Sequence, residues 1–439
     1  MYLPEYVTRC MTALEDAGYQ AWAVGGCVRD AVLGLTPHDY DLCTNALPEQ
    51  TEAVFSDFPL ILNGKKHGTV AVILDHEVVE ITTFRTEGNY LDNRHPEWVA
   101  FVPDISQDLA RRDFTVNAMA YSPKRGFADP FGGRDDLKNR ILRAVGDPRQ
   151  RFREDSLRIL RGARFAVKYR LEPDAATEEA MVELAPLMDN LARERVWSEL
   201  CKLILLADMD DLLRFAPVIT QVIPELKPLI GFDQKNRHHI YDIYTHTAQV
   251  VASVPRDLTL RWAALLHDIG KPACFSLGED GQGHFYGHAA ISARMADEIL
   301  RRLKSPTQLR EQVMLLIDKH MVWMEVSRRF IRRWVSRLGM ETMDQLLTLQ
   351  QADTGGKGTE DPSENPYFSG IREIMRQIEA EKPCLTLKDL ALNGRDLMAL
   401  GYRGKDIGKA LNRLLNRVLE EEVPNEKAAL IAALQEETP

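Results

Sequence analysis

The chain has 439 residues, 45% of them hydrophobic and 27% charged, and its formal net charge is −10 at pH 7. This composition is that of an ordinary globular protein of about three domains, and no apolar run approaches the roughly 20 residues that a membrane span needs. The six cysteines form no CxxC pair and the N-terminus shows no secretory signal, so we expect a cytoplasmic protein with no membrane partner.

Residues 1–145 alternate between helix-like and strand-like patterns. Helical spacing covers 4–17 and 28–33, and strand-like runs cover 21–24, 39–42, 69–74 and 78–84. The first of these strands ends in a pair of glycines, which marks a tight turn into the next helix. This order predicts an α/β head with a mixed or antiparallel sheet.

From residue 148 onward, strand patterns nearly vanish and helical periodicity takes over. Helices are predicted over 156–167, 177–187, 195–206 and 210–215, and a second helical block is rich in His and Asp. A stretch rich in Gly, Ser and Pro predicts a linker over 355–366. The sequence therefore predicts an α+β protein with a head (1–145), a helical neck (146–235), a histidine-rich helical domain (236–355) and a helical tail (356–439).

Two aspartates that follow the glycine pair are candidates for a catalytic metal site. Asp39 and Asp41 are two residues apart on a predicted strand, so their carboxylates would point to one face. Such a pair can hold one or two Mg²⁺ ions, which activate an attacking hydroxyl and stabilise a leaving pyrophosphate. Glu80, on a later predicted strand, would complete a site of three catalytic carboxylates, and a surface position is its alternative.

The glycine pair and the helix after it predict a phosphate site. Gly25 and Gly26 let backbone amides approach a triphosphate, and the start of the following helix offers the positive end of its dipole. Arg29 would add a charge-assisted hydrogen bond to phosphate. A Gly-Gly turn or an Asp-x-Asp segment alone is often an exposed turn, but their succession on neighbouring strands favours nucleotide binding.

A basic helix predicted over 155–169 is the candidate for base recognition. Asp155, Arg158, Arg161 and Arg164 recur at steps of three, so neighbours in the series share a face. A carboxylate can accept from the exocyclic amine of C or A, while an arginine donates to ring nitrogens. The alternative is a salt-bridged amphipathic helix in which Arg158 pairs with Asp155.

The segments that carry these residues resemble the class II tRNA nucleotidyltransferase and bacterial poly(A) polymerase family over residues 20–230. The matching segments are 25–30, 39–41, 111–118, 129–133 and 153–161. The resemblance implies an enzyme with Mg²⁺ in its head, in which Asp155 and Arg158 choose C or A in place of a nucleic-acid template. It also implies that Arg112, Arg161 and Arg164 bind the triphosphate.

Two further segments of the family pattern favour a CCA-adding enzyme that takes CTP and ATP and acts on tRNA. Residues 66–70 resemble the CCA-adding version and lack the Gly-Arg-Arg-Phe segment of poly(A) polymerases. The polar stretch 87–96 resembles the flexible loop that the switch from C to A addition needs, with His95 in place of a second basic residue often seen there. An A-adding or poly(A) polymerase is the alternative.

The histidine-rich block predicts a second metal site. His246, the His267-Asp268 pair and Asp353 lie on mostly helical segments, and His288 and His320 are further candidate ligands. Imidazole and carboxylate together suit a divalent transition metal such as Ni, Mn or Zn. Residues 265–271 resemble the HD phosphohydrolase superfamily, which implies a phosphatase or 2′,3′-cyclic phosphodiesterase activity.

The helical tail predicts a contact with tRNA. Its basic residues recur before an acidic run at 420–422, and duplex RNA is recognised mainly through phosphates and shape. A solvated helix surface is the alternative. A function of another class also stays open at this stage, namely an HD phosphohydrolase whose head binds RNA without catalysing nucleotide transfer.

Overall fold

The computed structural model of the chain describes residues 1–90, 96–236, 240–358, 363 and 365–436. Two compact units make up the chain, Met1–Pro224 and Glu225–Pro439. Residues 91–95, in the segment that resembles the flexible loop, lie outside the described part. The four predicted domains and the boundaries between them stay predictions.

The first unit contains a mixed sheet and a set of helices. Its strands are β1 (Ala21–Val24), β2 (Asp41–Thr44), β3 (Leu60–Ile61), β4 (Thr69–Leu74), β5 (Glu77–Thr83), β6 (Arg85–Tyr90), β7 (Pro96–Phe101), β8 (Ala120–Ser122), β9 (Gly126–Ala128), β10 (Ile141–Leu142) and β11 (Glu172–Pro173). Its helices are α1 (Glu5–Asp16), α2 (Gly26–Val32), α3 (Pro48–Val54), α4 (Ile105–Ala110), α5 (Gly133–Lys138), α6 (Pro148–Glu154), α7 (Leu157–Tyr169), α8 (Ala175–Glu183), α9 (Arg193–Leu206), α10 (Met209–Arg214) and α11 (Ala216–Val222). Short 3₁₀ helices span Lys65–His67, Thr115–Asn117 and Ala185–Asn190.

The main sheet has the strand order β3-β4-β5-β2-β1-β8-β9. Strands β2 and β5 run parallel, whereas the other neighbours are antiparallel, so the predicted mixed sheet is confirmed. Leu42 pairs with Ile81 in the parallel ladder, and both side chains are buried. Because side chains alternate along a strand, the residues just before them, Asp41 and Glu80, share the opposite face.

The second unit is almost entirely helical. After a 3₁₀ helix at Pro224–Leu229, its helices are α12 (Ile243–Ser253), α13 (Leu258–Leu266), α14 (Lys271–Cys274), α15 (His288–Arg302), α16 (Thr307–Lys319), α17 (Arg328–Leu338), α18 (Met340–Gly356), α19 (Pro366–Glu381), α20 (Gly394–Ala399), α21 (Lys405–Leu419) and α22 (Lys427–Gln435). A short hairpin of β12 (Ser276–Leu277) and β13 (Gly283–His284) precedes α15. Asp242 and Asp257 begin α12 and α13 by accepting from backbone amides, as N-cap aspartates do.

The predicted α+β class, with a mixed-sheet head and a helical remainder, is confirmed. Across the described ranges, no helix is long and apolar enough to cross a membrane.

Two predicted element starts are wrong by two residues. The strand predicted from residue 39 begins at Asp41, so Asp39 lies in the preceding loop. Helix α7 begins at Leu157, so Asp155 lies between α6 and α7 in an extended conformation. Asp39 lies in the loop before β2 and Asp155 lies between two helices, and neither apolar periodicity nor residue spacing marks these junctions.

The linker predicted from residue 355 is also wrong at its start. Gly355 and Gly356 form the last residues of α18. A Cβ atom at Gly356 would lie 2.6 Å from Val250 Cγ2 and 3.2 Å from His246 Cε1. Glycine is required there for close packing against α12, because any side chain would collide with its neighbours.

Candidate active sites

The predicted catalytic carboxylates lie just before β2, at its first residue, and on β5. Asp41 is the first residue of β2, Asp39 precedes it in an exposed loop, and Glu80 neighbours Asp41 in the ladder. Although Asp41 keeps contact with solvent, burial raises the pKa of its carboxyl, and the charges of Glu80 and Asp39 raise it further. Negative charge therefore converges on Asp41, and carboxylate oxygens are the ligands that Mg²⁺ prefers.

These three carboxylates are not gathered as tightly as a closed metal site. Among the residues that the structure describes, the groups of three or more potential ligands within 4.8 Å of one another all lie in the second unit. The roles assigned to Asp39, Asp41 and Glu80 stay predictions.

Gly25 brings an arginine close to the backbone turn after β1. Its φ is +71°, and a Cβ atom there would lie 2.8 Å from Arg112 Nη1. Arg112 is held from the other side by Asp108, whose Oδ2 lies 3.4 Å from Arg112 Nη2. The glycine pair thus allows a cation to approach the start of α2, where a triphosphate is predicted to lie.

Arg29 is buried and its donors face protein groups. Its Nη1 donates to Asn117 Oδ1 at 2.5 Å, its Nε donates to Asp30 Oδ1 at 2.9 Å, and its Nη2 donates to the Tyr169 hydroxyl at 2.5 Å. The guanidinium also lies 4.2 Å from the centroid of the Tyr169 ring. These contacts tie α2 to the end of α7, a structural role that its predicted contact with phosphate did not include.

A cavity of about 480 Å³ collects the predicted nucleotide-binding residues. Its walls include Gly25, Gly26, Arg29, Asp41, Arg112, Asp155, Arg158, Arg161 and Arg164. Asp39 and Glu80 do not line it. Side chains that sequence reasoning missed also line it, among them Arg111, Asp113, Lys168 and Arg195. The walls are thus strongly basic, with carboxylates at Asp41, Asp113 and Asp155.

The two predicted base-recognition residues are held separately. Asp155 Oδ1 accepts from the Leu157 amide at 3.0 Å, and Asp155 Oδ2 accepts from Arg195 Nη2 at 2.8 Å. Arg158 Nη1 donates to Glu154 Oε2 at 2.8 Å, and its Nη2 donates to the Arg111 carbonyl at 3.0 Å. The alternative in which Arg158 pairs with Asp155 is therefore wrong.

The remaining arginines of α7 are each oriented by a carboxylate. Arg161 Nη2 lies 2.6 Å from Asp113 Oδ2, and Arg164 Nε lies 2.5 Å from Glu199 Oε2. Burial by itself would raise the pKa of Asp113, but the charge of Arg161 and a hydrogen bond from Asn117 outweigh it and lower that pKa to about 2. Fixed arginines need little reorganisation when they bind a phosphate.

Sequence spacing could have identified two of the missed residues. Arg195 and Glu199 are four residues apart on α9, so they share one face of the helix. That face meets α7 and the residue before it, because Glu199 reaches Arg164 on α7 and Arg195 reaches Asp155 at the α6–α7 junction. An Arg and a Glu at this spacing on one helix face are the available signal.

The second unit brings together all six predicted metal ligands. One group contains His246, His267, Asp268 and Asp353, and a second contains Asp268, His288 and His320. The ligand atoms within each group lie within 4.8 Å of one another, and all six residues are buried. Asp268 belongs to both groups, so it stands between them.

Three of the histidines present the same nitrogen to this cluster. Nδ1 of His267 lies 2.8 Å from the Ala264 carbonyl, and Nδ1 of His288 lies 2.8 Å from the Phe285 carbonyl. Nδ1 of His320 lies 2.6 Å from the Ile317 carbonyl. A carbonyl can only accept, so each Nδ1 carries a proton, and in the neutral ring it is Nε2 that offers the lone pair to a metal.

The charges in the cluster also suit a cation. Asp268 and Asp353 are buried, yet the neighbouring His267 and His246 hold the pKa of both carboxyls well below the ordinary value. Burial lowers the pKa of His267, but Asp268 and Asp353 outweigh it and raise that pKa to about 10. Burial, together with His267, lowers the pKa of His320 to about 4. His267 is therefore protonated in the metal-free cluster; once a metal displaces that proton, two ionised carboxylates and the imidazole nitrogens form a donor set that fits a divalent transition metal.

A cavity of about 230 Å³ leads to this cluster. Asp268, His288 and Asp353 form its inner wall, and Lys271 and Lys357 also line it. Lys271 Nζ lies 2.7 Å from Asp268 Oδ2. A small anionic molecule can therefore reach the predicted ligands without crossing the core.

Three family models match segments of the chain. The Poly A polymerase head domain matches residues 21–143, and the probable RNA and SrmB-binding site of polymerase A matches residues 170–230. The putative tRNA nucleotidyltransferase domain 2 matches residues 285–434.

Individual relatives match nearly the whole chain. The CCA-adding enzyme of Levilactobacillus brevis is 34% identical over 430 residues, which cover 97% of this chain and 96% of that protein. The CCA-adding enzyme of Streptococcus suis is 47% identical over 206 residues, and this alignment covers 46% of this chain and 51% of that relative.

Solved structures give the same result. The crystal structure of the Bacillus stearothermophilus CCA-adding enzyme in complex with CTP has a TM-score of 0.73 and 29% identity, and covers 99% of this chain and 98% of its own. A Thermotoga maritima CCA-adding enzyme complexed with tRNA has a TM-score of 0.58 at 19% identity, with 98% and 94% coverage, and supports the fold alone.

Proposed function

This chain belongs to the family of CCA-adding enzymes, and we propose that it is a tRNA nucleotidyltransferase that adds the 3′-terminal CCA from CTP and ATP. Each step forms a bond from a 3′ hydroxyl to an α-phosphorus and releases pyrophosphate. The observation that carries the proposal is the basic cavity of about 480 Å³ with Asp41 and Asp155 among its walls. In this proposal the arginines bind the triphosphate, Asp41 serves the transfer reaction, and Asp155 selects the base.

In this proposal the arginines of the cavity bind the incoming nucleotide. Arg112, Arg161 and Arg164 contact the triphosphate, supported by the backbone amides of Gly25 and Gly26. Asp155 accepts from the exocyclic amine of cytosine or adenine, and Arg158 donates to the ring. Uracil and guanine present a different order of donors and acceptors, so the same pair disfavours them.

Asp39 and Asp41 are the proposed holders of Mg²⁺ in the head, with Glu80 as a third carboxylate beside them. The fit is supported by the convergence of negative charge on Asp41, which a divalent cation would relieve. When bound, Mg²⁺ lowers the pKa of the attacking hydroxyl and neutralises charge on the leaving pyrophosphate.

The proposed macromolecular partner is tRNA in the cytoplasm. The solved CCA-adding enzyme that is 29% identical to this chain is a complex with CTP, which supports CTP as a substrate. In the neck, the ten Lys and Arg against three Asp and Glu over 140–170 supply positive charge for RNA phosphates. The tail is proposed to contribute further phosphate contacts.

The test is an incorporation assay with three tRNA transcripts, which end in the discriminator base, in C, or in CC. Each nucleotide is supplied separately and then in combination. Extension of all three transcripts to a full CCA end is the expected result. Addition of A to the CC-ended transcript alone would leave an A-adding enzyme, and addition of many A residues would indicate a poly(A) polymerase.

The metal cluster supports a second candidate activity, hydrolysis of a phosphoester by an HD-type domain. Its two ligand groups share Asp268, so they are proposed to hold two divalent transition-metal ions such as Mn, Ni or Zn. When bound, such ions lower the pKa of a coordinated water, which makes it a nucleophile near neutral pH. Metal-dependent release of phosphate from a phosphomonoester, lost with His267→Ala, is the test.

A further inference from the structure

Three guanidinium groups lie against the ring of Phe165 on α7. Arg164 Cζ lies 4.1 Å, Arg161 Cζ 5.2 Å and Arg29 Cζ 5.3 Å from the centroid of that ring. All three distances are within the roughly 6 Å over which the negative face of an aromatic ring attracts a cation. Phe165 is 4% exposed and lines the basic cavity of the first unit. The attraction is therefore strong, because it acts where most of the water is excluded.

Packing holds the ring of Phe165 in one orientation. The fully buried ring of Phe114 meets it at an angle of 81°, with centroids 5.9 Å apart. Tyr169, one turn further along α7, is stacked on it with centroids 6.0 Å apart and 29° between the planes. Arg29 Cζ also lies 4.2 Å from the centroid of Tyr169, so two rings contact the same guanidinium. The ring of Phe165 is thus a fixed surface for the arginines beside it.

The arginines at this ring carry like charges, so contacts of two kinds are needed to hold them together. Each is paired with a carboxylate, namely Arg161 with Asp113, Arg164 with Glu199 and Arg29 with Asp30. Hydrogen bonds to a carboxylate lie in the plane of a guanidinium, whereas an aromatic ring contacts its flat face. The ring therefore supplies a restraint that the carboxylates do not, and it opposes the mutual repulsion of the three cations.

We propose that Phe165 is a positioning residue for nucleotide binding, whose ring holds Arg161 and Arg164 in the orientation that receives the triphosphate. The inference rests on the proposed nucleotidyl transfer and adds to it a residue that offers the phosphates neither a charge nor a hydrogen bond. Arginines that are already oriented need little reorganisation when a phosphate arrives. Base choice is assigned to Asp155 and Arg158, so a change at the ring should affect CTP and ATP equally.

The first experiment changes the charge distribution of the ring and keeps its shape. Phe165→3,4,5-trifluorophenylalanine, introduced into the full-length protein by amber suppression, withdraws electrons from the ring face and weakens its attraction for cations. The KM for CTP and the KM for ATP are expected to rise by the same factor, about 3-fold. The kcat should change by less than about 2-fold, because binding of the ground state and of the transition state is weakened alike.

Three further variants separate the ring face from its packing. Phe165→Leu removes the ring and is expected to raise both KM values about 10-fold, whereas Phe165→Tyr keeps the ring and should restore them. Phe152→Leu is the matched control, because Phe152 is a fully buried ring of α6 that also packs against Phe114 but does not line the cavity. It should lower the midpoint of thermal denaturation, as Phe165→Leu does, and leave both KM values unchanged.

Calorimetric binding of inorganic tripolyphosphate separates the inference from the proposed reaction. This probe has the phosphates but neither sugar nor base, and its Kd should rise about 3-fold in the fluorinated variant and about 10-fold in Phe165→Leu. An unchanged Kd in the fluorinated variant would overturn the inference, and so would a rise of both KM values in Phe152→Leu that equals the rise in Phe165→Leu. If the unaltered protein binds tripolyphosphate but adds no nucleotide, the proposed reaction fails, while the comparison of Kd values still decides the role of Phe165.

Discussion

Arg195 Nη2 lies 2.8 Å from Asp155 Oδ2, and this ion pair joins the first turn of α9 to the junction between α6 and α7. Asp155 is proposed to read the exocyclic amine of the incoming base, and one of its oxygens already accepts from an arginine. The pair therefore fixes the direction in which the other oxygen points. Base choice then depends on a residue 40 positions further along the chain.

Arg195→Ala is expected to lower selectivity as well as rate. Without Arg195 the Asp155 carboxylate keeps only its hydrogen bond from the Leu157 amide and is less firmly oriented, so discrimination against UTP and GTP should fall by about 10-fold, in line with the 1–3 kcal/mol of a well-placed base contact. The measurement is kcat/KM for each of the four nucleotides on a C-ended transcript. Arg193→Ala is the control, because Arg193 is on the same helix as Arg195 but donates to the Asp189 carbonyl in the preceding 3₁₀ helix and does not line the cavity. Equal losses for all four nucleotides would refute a role in base choice.

Asp41→Asn is expected to separate the two activities. It removes a charge at the proposed Mg²⁺ site, so nucleotide incorporation should fall by about 100- to 1,000-fold, the usual loss when one electrostatic group is removed. Phosphomonoester hydrolysis in the second unit should stay unchanged. Asp75→Asn, at an exposed aspartate that pairs with Arg9, is the control. Incorporation at the normal rate in Asp41→Asn would disprove the proposed metal site.

Metal content offers a direct test of the two ligand groups. Elemental analysis of the purified protein is expected to find two transition-metal ions per chain. His246→Ala removes a ligand of the first group and His320→Ala a ligand of the second, so each variant should keep one ion. Asp268→Ala, which affects both groups, should keep none. Full metal content in Asp268→Ala would exclude this site, and nucleotide incorporation should remain normal in every variant.

Gly356→Ala is expected to destabilise the second unit. The added methyl group would lie 2.6 Å from Val250 Cγ2, and overpacking of this kind costs about 1–3 kcal/mol. The same methyl group would press on His246, so metal affinity should fall too. The control is Gly408→Ala on α21, where a Cβ atom meets nothing within 4 Å and alanine is the better helix former. Thermal denaturation compares the two variants, and equal midpoints would refute the close packing at Gly356.

The Asp113–Arg161 pair predicts that the free energy of unfolding depends on pH in the acidic range. The pKa of Asp113 is about 2 in the folded chain against an ordinary value of 3.8, so the pair contributes roughly 2 kcal/mol above pH 4. A lowered folded-state pKa means that this contribution is full above the ordinary value and is lost as pH falls towards 2. Asp113→Asn should therefore be less stable than the unaltered protein at pH 6, and the difference in their free energies of unfolding should narrow between pH 4 and 2. Asp57→Asn, at an exposed position of the same unit, should show no such deficit, and a constant deficit in Asp113→Asn would contradict the assignment.

Local sequence patterns were enough to predict the helices and strands but not the residues at the junctions between them. Strands β1 and β4 have the predicted bounds, because their apolar runs end at Gly25 and at Asp75. Asp39 and Asp155 were assigned to a strand and a helix, although each lies just before one. Periodicity fixes the middle of an element, whereas its first residue depends on tertiary contacts such as that of Asp155 with Arg195.

The candidate sites could be predicted as sets of residues, but their contacts could not. All eight predicted nucleotide-binding residues line one cavity, and all six predicted transition-metal ligands meet in one cluster. The partners of Arg158 and Arg164, by contrast, are Glu154 and Glu199. Gly356 was assigned to a linker because composition cannot tell a flexible glycine from one that a neighbouring imidazole requires.

Asp268 has a consequence for how this protein can evolve. It is a member of both ligand groups, whereas the carboxylates of the head lie in the other unit of the chain. A lineage without selection for hydrolysis could lose that activity through a single substitution at Asp268 and keep tRNA maturation intact. Regaining the hydrolase activity would require the aspartate to return while the other five buried ligands were still unchanged. The fold would thus make loss of the proposed second activity easy and its recovery rare, and the number of ligands that survive in a descendant would record how recently it was lost.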